Sequence, residues 1–86
     1  MKLTLKYFAA LRETLGPGET IDWQPEGADA SAGALRAWLR ARSDVHAQAL
    51  APGRAVRVAV DQVLADEATP LREGAEVAFF PPVTGG

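Results

Sequence analysis

Leu3, Leu5 and Tyr7 alternate with Lys2, Thr4 and Lys6 at the start of the chain. A repeat of two predicts a strand with one buried face, and it places Phe8 on the polar side. Ala9 to Leu15 has the composition of about two helical turns, which Gly16-Pro17-Gly18 stops. Glu19 to Trp23 alternates again, with Ile21 and Trp23 on one side, and predicts a second strand that closes a hairpin with the first. Pro25 to Ala30 is a loop, and Ser31 then caps the main helix, which runs to about Arg42. In that helix Leu35, Trp38 and Leu39 form one apolar stripe, and Arg36, Arg40 and Arg42 are expected on a solvated face.

Val45 to Leu50 predicts a further helical turn ended by Pro52-Gly53, with His46 an ordinary surface residue. Val56, Val58 and Val60 alternate with Ala55, Arg57 and Ala59 in a third strand. Asp61-Gln62 makes a turn, Val63-Leu64 a short fourth strand, and Ala75 to Phe80 the last one. Two strands, a long helix and three strands are satisfied by a mixed sheet of about five strands. One main helix crosses its face, and the first and last strands lie side by side at its centre. The expected class is therefore α+β, with the β-grasp or ubiquitin-like arrangement over residues 1–80 and a flexible, extended tail over residues 81–86.

Composition narrows the chemistry available to this fold. The chain has 86 residues, no cysteine and one histidine, so it has room for one small core and none for a two-domain enzyme. A disulfide framework, a thiolate nucleophile and Cys-ligated metal are excluded, and no metal site is expected. No run approaches the roughly 20 apolar residues of a bilayer-spanning helix, and Lys6 and Arg12 interrupt any signal-peptide core. A cytoplasmic protein without a membrane partner is the expectation. The net charge of −2 divides unevenly: residues 61–86 carry one basic and five acidic side chains, which argues against nucleic acid at that end.

The last six residues, Pro81-Pro82-Val83-Thr84-Gly85-Gly86, are unusual for the edge of a globular domain. The prolines cannot donate to a β-ladder and hold an extended course, which points the chain outward. Four residues beyond Pro82 reach about 13 Å at roughly 3.3 Å each, enough to enter another protein's active site. Terminal glycines pass a narrow channel and leave the Gly86 carboxylate open to attack. A carboxylate is a poor electrophile, so this end becomes useful only when a second enzyme activates it as an acyl-adenylate or thioester. Strand parity adds a surface: Glu76, Ala78 and Phe80 share the outer face of the last strand, and Lys2, Thr4, Lys6 and Phe8 that of the first. Phe8 and Phe80 would then form one exposed apolar patch beside the tail, a docking surface for a partner.

The run Glu76-Val77-Ala78-Phe79-Phe80-Pro81-Pro82-Val83-Thr84-Gly85-Gly86 resembles the C-terminal signature of the MoaD family, the small sulfur-carrier subunit of molybdopterin synthase. The likeness continues through Pro70-Leu71-Arg72-Glu73-Gly74, Val58-Ala59-Val60-Asp61-Gln62, Ser31-Ala32-Gly33-Ala34-Leu35-Arg36 and Tyr7-Phe8-Ala9-Ala10-Leu11-Arg12-Glu13. Asp61 stands where the family often has Asn, and Gly33 is an unusual choice in a first helical turn. The resemblance implies a carrier with no catalytic machinery and no permanently bound cofactor. A MoeB-type enzyme would use ATP to convert Gly86 to a glycyl adenylate. A sulfurtransferase would make the thiocarboxylate, 1-thioglycine. A MoaE-type large subunit would bind the tail in a heterotetramer, where sulfur passes to cyclic pyranopterin monophosphate in molybdenum cofactor biosynthesis. Gly-Gly alone would also suit a carrier for thiamine synthesis, cysteine synthesis or tRNA thiolation. A β-grasp binding module with an inert tail and a ubiquitin-like tag are further readings.

Overall fold

The computed structural model describes residues 1–25, 27 and 29–82. Five strands, β1 (Lys2–Tyr7), β2 (Gly18–Asp22), β3 (Arg57–Val60), β4 (Val63–Ala65) and β5 (Glu76–Phe80), form one sheet in the order β2-β1-β5-β3-β4. Three helices, α1 (Ala10–Leu15), α2 (Ala32–Arg40) and α3 (Asp44–Ala49), accompany it. β1 and β5 pair in parallel at the centre, and the β1–β2, β3–β4 and β3–β5 pairs are antiparallel. This is the β-grasp arrangement that the alternation predicts.

The inner face follows strand parity. Leu3, Leu5 and Tyr7 of β1 and Val77 and Phe79 of β5 are buried, as are Leu35 and Leu39 of α2. The Tyr7 and Phe79 rings stack with centroids 6.2 Å apart and planes 22° from parallel. α2 begins where its cap residue stands: the Ser31 hydroxyl accepts the Ala34 N–H at 3.2 Å. Ser43 caps α3 in the same way, accepting the His46 N–H at 3.1 Å. Its hydroxyl also lies 2.7 Å from His46 Nδ1, so the histidine expected to be an ordinary surface residue belongs to a helix cap.

Three expectations for α2 require correction. The predicted solvated face does not include Arg36, which is only 6% exposed. Its Nε donates to the Leu50 carbonyl at 2.8 Å and its Nη2 to the carbonyls of Ala51 and Arg54 at 2.6 and 3.3 Å. Nη1 pairs with Glu67 at 3.3 Å. The loop after α3 bends over this side of the helix and needs donors for its carbonyls, a requirement that periodicity within one helix does not reveal. Conversely, Trp38 does not belong to the buried stripe. It is 37% exposed and lies under the Arg42 guanidinium, 5.3 Å from the ring centroid. α2 also ends two residues early, at Arg40, and Arg42 turns back to bridge Glu19 at 3.0 Å.

Left-handed backbone shapes several of the turns, among them those at Gly18 and at Asp61-Gln62. Gly18 takes φ 143 where β2 starts beside β1, and a Cβ there would overlap the Leu5 carbonyl. Asp61 and Gln62, at φ 51 and 68, join β3 to β4. Among the described residues no helix is long and apolar enough to cross a membrane, and no cluster of His, Cys, Asp or Glu could hold a metal ion.

Candidate functional site

The central strands carry both candidate elements of the site, the outer aromatic pair and the root of the tail. β1 ends because Ala9 adopts φ 54, which turns the chain sharply from strand into α1. Just before that turn Phe8 extends the ladder, its N–H donating to the Phe79 carbonyl at 3.2 Å. Phe8 therefore lies beside the end of β5 with its ring on the outer face, 44% exposed. Phe80 closes β5 on the same face and is half-buried. Pro81 and Pro82 come next, with no N–H to offer a further ladder bond.

These residues surround a groove of about 740 Å³. Phe8, Phe80, Pro81 and Pro82 supply its apolar walls, and Ala59 and Ala78 line it between them. Ala78 was expected on the solvent face, yet it is only 7% exposed. The register accounts for this, since Ala78 sits between Lys6 on β1 and Ala59 on β3 and a methyl group is overtopped by longer neighbours. The two alanines are what make the surface concave. Sequence parity shows which face they occupy, but their adjacency depends on the β3–β5 register, which alternation alone does not fix.

One flank of the groove is charged and neutralised. Lys6 Nζ and Glu76 Oε1 are 3.0 Å apart across the β1–β5 seam. Asp61 anchors the Glu76 end of β5, its carboxylate accepting the Glu76 N–H at 3.0 Å while its own N–H donates to the Glu76 carbonyl at 2.8 Å. On the inner face, burial pushes the Tyr7 phenol up to about 12, Glu19 adding to the shift and Arg42 opposing it. The Tyr7 hydroxyl has no hydrogen-bond partner among the described residues. Among those residues the polar side chains of the groove are Lys6, Gln62 and Glu76, and Lys6 and Glu76 neutralise each other as an ion pair. The face is shaped to bind a partner beside the root of the tail. The structure thus brings Phe8, Phe80, Pro81 and Pro82 together. Val83, Thr84, Gly85 and Gly86, the remaining sequence candidates, lie outside the described residues.

Comparison with known proteins bears on what this face serves. The model of the ThiS family matches residues 5–86. The molybdopterin synthase sulfur carrier subunit of Escherichia coli is 44% identical over 81 residues, covering 93% of this chain and 94% of that protein. The protein of the same name from Haemophilus influenzae is 39% identical over 84 residues, covering 98% and 99%. Among solved structures, a putative molybdopterin converting factor subunit 1 from Pyrococcus furiosus superposes with a TM-score of 0.75 at 28% identity, covering 96% of this chain and 99% of that one.

Proposed function

The chain belongs to the ThiS family, among the molybdopterin synthase sulfur carrier subunits, and from that premise we propose how its surface and tail perform the carrier's task. The observation that carries the reading is the position of the tail's root. β5, the central strand, delivers Pro81 and Pro82 to the rim of an apolar groove walled by Phe8 and Phe80. A partner seated in that groove receives the residues beyond Pro82.

Those residues are Val83-Thr84-Gly85-Gly86. Gly86 is the reactive residue of this reading. A MoeB-type enzyme joins its carboxylate to the AMP portion of ATP and releases pyrophosphate. The terminal sulfur of a sulfurtransferase persulfide then attacks the acyl-adenylate and displaces AMP. A second thiol reduces the resulting acyl disulfide, forming a disulfide with the sulfurtransferase cysteine and leaving the thiocarboxylate on Gly86. The MoaE-type large subunit takes up the loaded tail, and sulfur passes to cyclic pyranopterin monophosphate. Two loaded carriers are consumed for each dithiolene. Acid, base and nucleotide site belong to the partners, and the polar side chains of the groove among the described residues are Lys6, Gln62 and Glu76. The small chain contributes a short unbranched end and a rigid sheet that sets its starting point and direction.

Intact-protein mass spectrometry tests this directly. After incubation with ATP, the activating enzyme and a sulfur source, replacement of one C-terminal oxygen by sulfur should raise the mass by about 16 Da, and a chain lacking Gly86 should show no change. Loaded protein given to the large subunit with cyclic pyranopterin monophosphate should then return to its original mass as dithiolene forms. An unchanged mass in the first step would refute the carrier chemistry. Loading without transfer in the second would place the carrier in another sulfur pathway.

A further inference from the structure

Arg57 stands directly across the β3–β5 ladder from Phe80, on the outer face and exposed to solvent. With Pro82 it lines a second hollow of about 410 Å³ on the other side of the tail's root from the apolar groove. The cations around it are already matched. Lys6 holds Glu76 at 3.0 Å, and Arg36 holds Glu67 at 3.3 Å. The nearby Asp66 carboxylate accepts the Ala68 N–H at 2.9 Å and the Thr69 hydroxyl at 3.3 Å. Arg57 has no carboxylate within ion-pair distance among the described residues.

Gly86 is the fourth residue beyond Pro82, a reach of at most about 13 Å for fully extended chain. A protein that encloses Gly86 must therefore close over the root as well, and Phe80, Pro82 and Arg57 are next to one another there. Covering a guanidinium without a counter-charge is costly, because water's stabilisation of the cation is lost with nothing in return. The planar fork of an arginine is matched best by a carboxylate, which can accept two parallel N–H bonds.

We infer that Arg57 is a specificity-determining contact of the carrier, pairing with an acidic side chain that the large subunit of molybdopterin synthase places beside the entrance to its tail channel. The inference rests on the docking reading above and adds a charge to an otherwise apolar contact. Phe8, Phe80 and the prolines supply buried area, which many hydrophobic surfaces could match, whereas Arg57 fixes which partner and which orientation.

The test measures affinity between the full chain and its large subunit at 50 and 500 mM NaCl for the parent protein and for Arg57→Gln, Arg57→Lys and Phe80→Ala. At low salt Arg57→Gln should bind about tenfold more weakly, Arg57→Lys should recover most of that loss, and the gap to the parent should narrow at high salt. Arg57→Gln binding within twofold of the parent at low salt, while Phe80→Ala is weakened, would overturn the inference and leave the docking face standing. A loss that neither salt nor lysine alters would also overturn it, since that marks packing rather than charge. Parent-like binding by Phe80→Ala would instead remove the docking reading on which it rests.

Discussion

Replacing Arg36 by methionine should be the most damaging change at a charged residue of α2. The methylene stem can be mimicked, but the donors to the carbonyls of Leu50, Ala51 and Arg54 are lost. The Leu50 bond is buried and the other two are partly so. A buried carbonyl left without a donor costs about 1–3 kcal/mol, and partly buried ones recover some of that from water. The expected loss is therefore about 3–4 kcal/mol, a large share of the roughly 5–10 kcal/mol that a domain of this size possesses. Equilibrium urea unfolding at pH 7 measures it as a fall in midpoint at unchanged slope. Glu67→Gln provides the internal comparison. Glu67 is 66% exposed and touches Arg36 at 3.3 Å, so removing its charge should cost under about 1 kcal/mol. A loss below about 1 kcal/mol for Arg36→Met, or equal losses for the two variants, would refute the assignment of Arg36 as the donor that holds the loop after α3.

Three further changes test other parts of the structure. Tyr7→Phe removes a buried hydroxyl with no partner among the described residues and should leave stability at pH 7 unchanged or raise it by about 1 kcal/mol, read from thermal and urea melts. Because the folded phenol is raised to about 12 from an ordinary value of 10.0, the unfolded chain loses its proton first. Native stability should fall by about 2 kcal/mol as pH rises from 10 to 12, and the Phe variant should lack that component of the alkaline loss. Gly18→Ala should destabilise by more than about 2 kcal/mol, because its Cβ would overlap the Leu5 carbonyl. Gly74→Ala, at φ 84 with open space around it, should cost only about 1 kcal/mol in the same urea assay. Phe80→Ala should weaken large-subunit binding by about tenfold or more while leaving the circular dichroism spectrum unchanged; undiminished affinity would remove the groove from the docking face.

Much of the fold could be read from local pattern. Alternation in Lys2–Tyr7 and Glu76–Phe80 assigned each side chain to a face, and the assignment stands even at Ala78, which points outward and is nevertheless covered. Ser31 marked the start of the main helix because capping chemistry acts over three residues. Most element boundaries differed from expectation by one or two residues, as in β2, α2, α3, β3 and β5, where fraying and capping compete. Arg36 and Trp38 were misplaced for a deeper reason. Their environments are set by the loop around Ala51 and by Arg42, partners that a helical repeat does not encode.

By itself the sequence determined the strand and helix periods, the outer-face position of Phe8 and Phe80, and the unusual Gly-Gly tail, since each depends on neighbours a few residues away. Tertiary structure alone decided that Ala59 and Ala78 lie side by side to form a groove, and that Lys6 is neutralised by Glu76. It also placed Arg57 beside the root of the tail, with no carboxylate of its own within ion-pair distance among the described residues. These facts depend on the register between strands far apart in the chain. Register is a property of the closed sheet, in which the preferences of five strands, the turns between them and the helix packed on one face must be met at once.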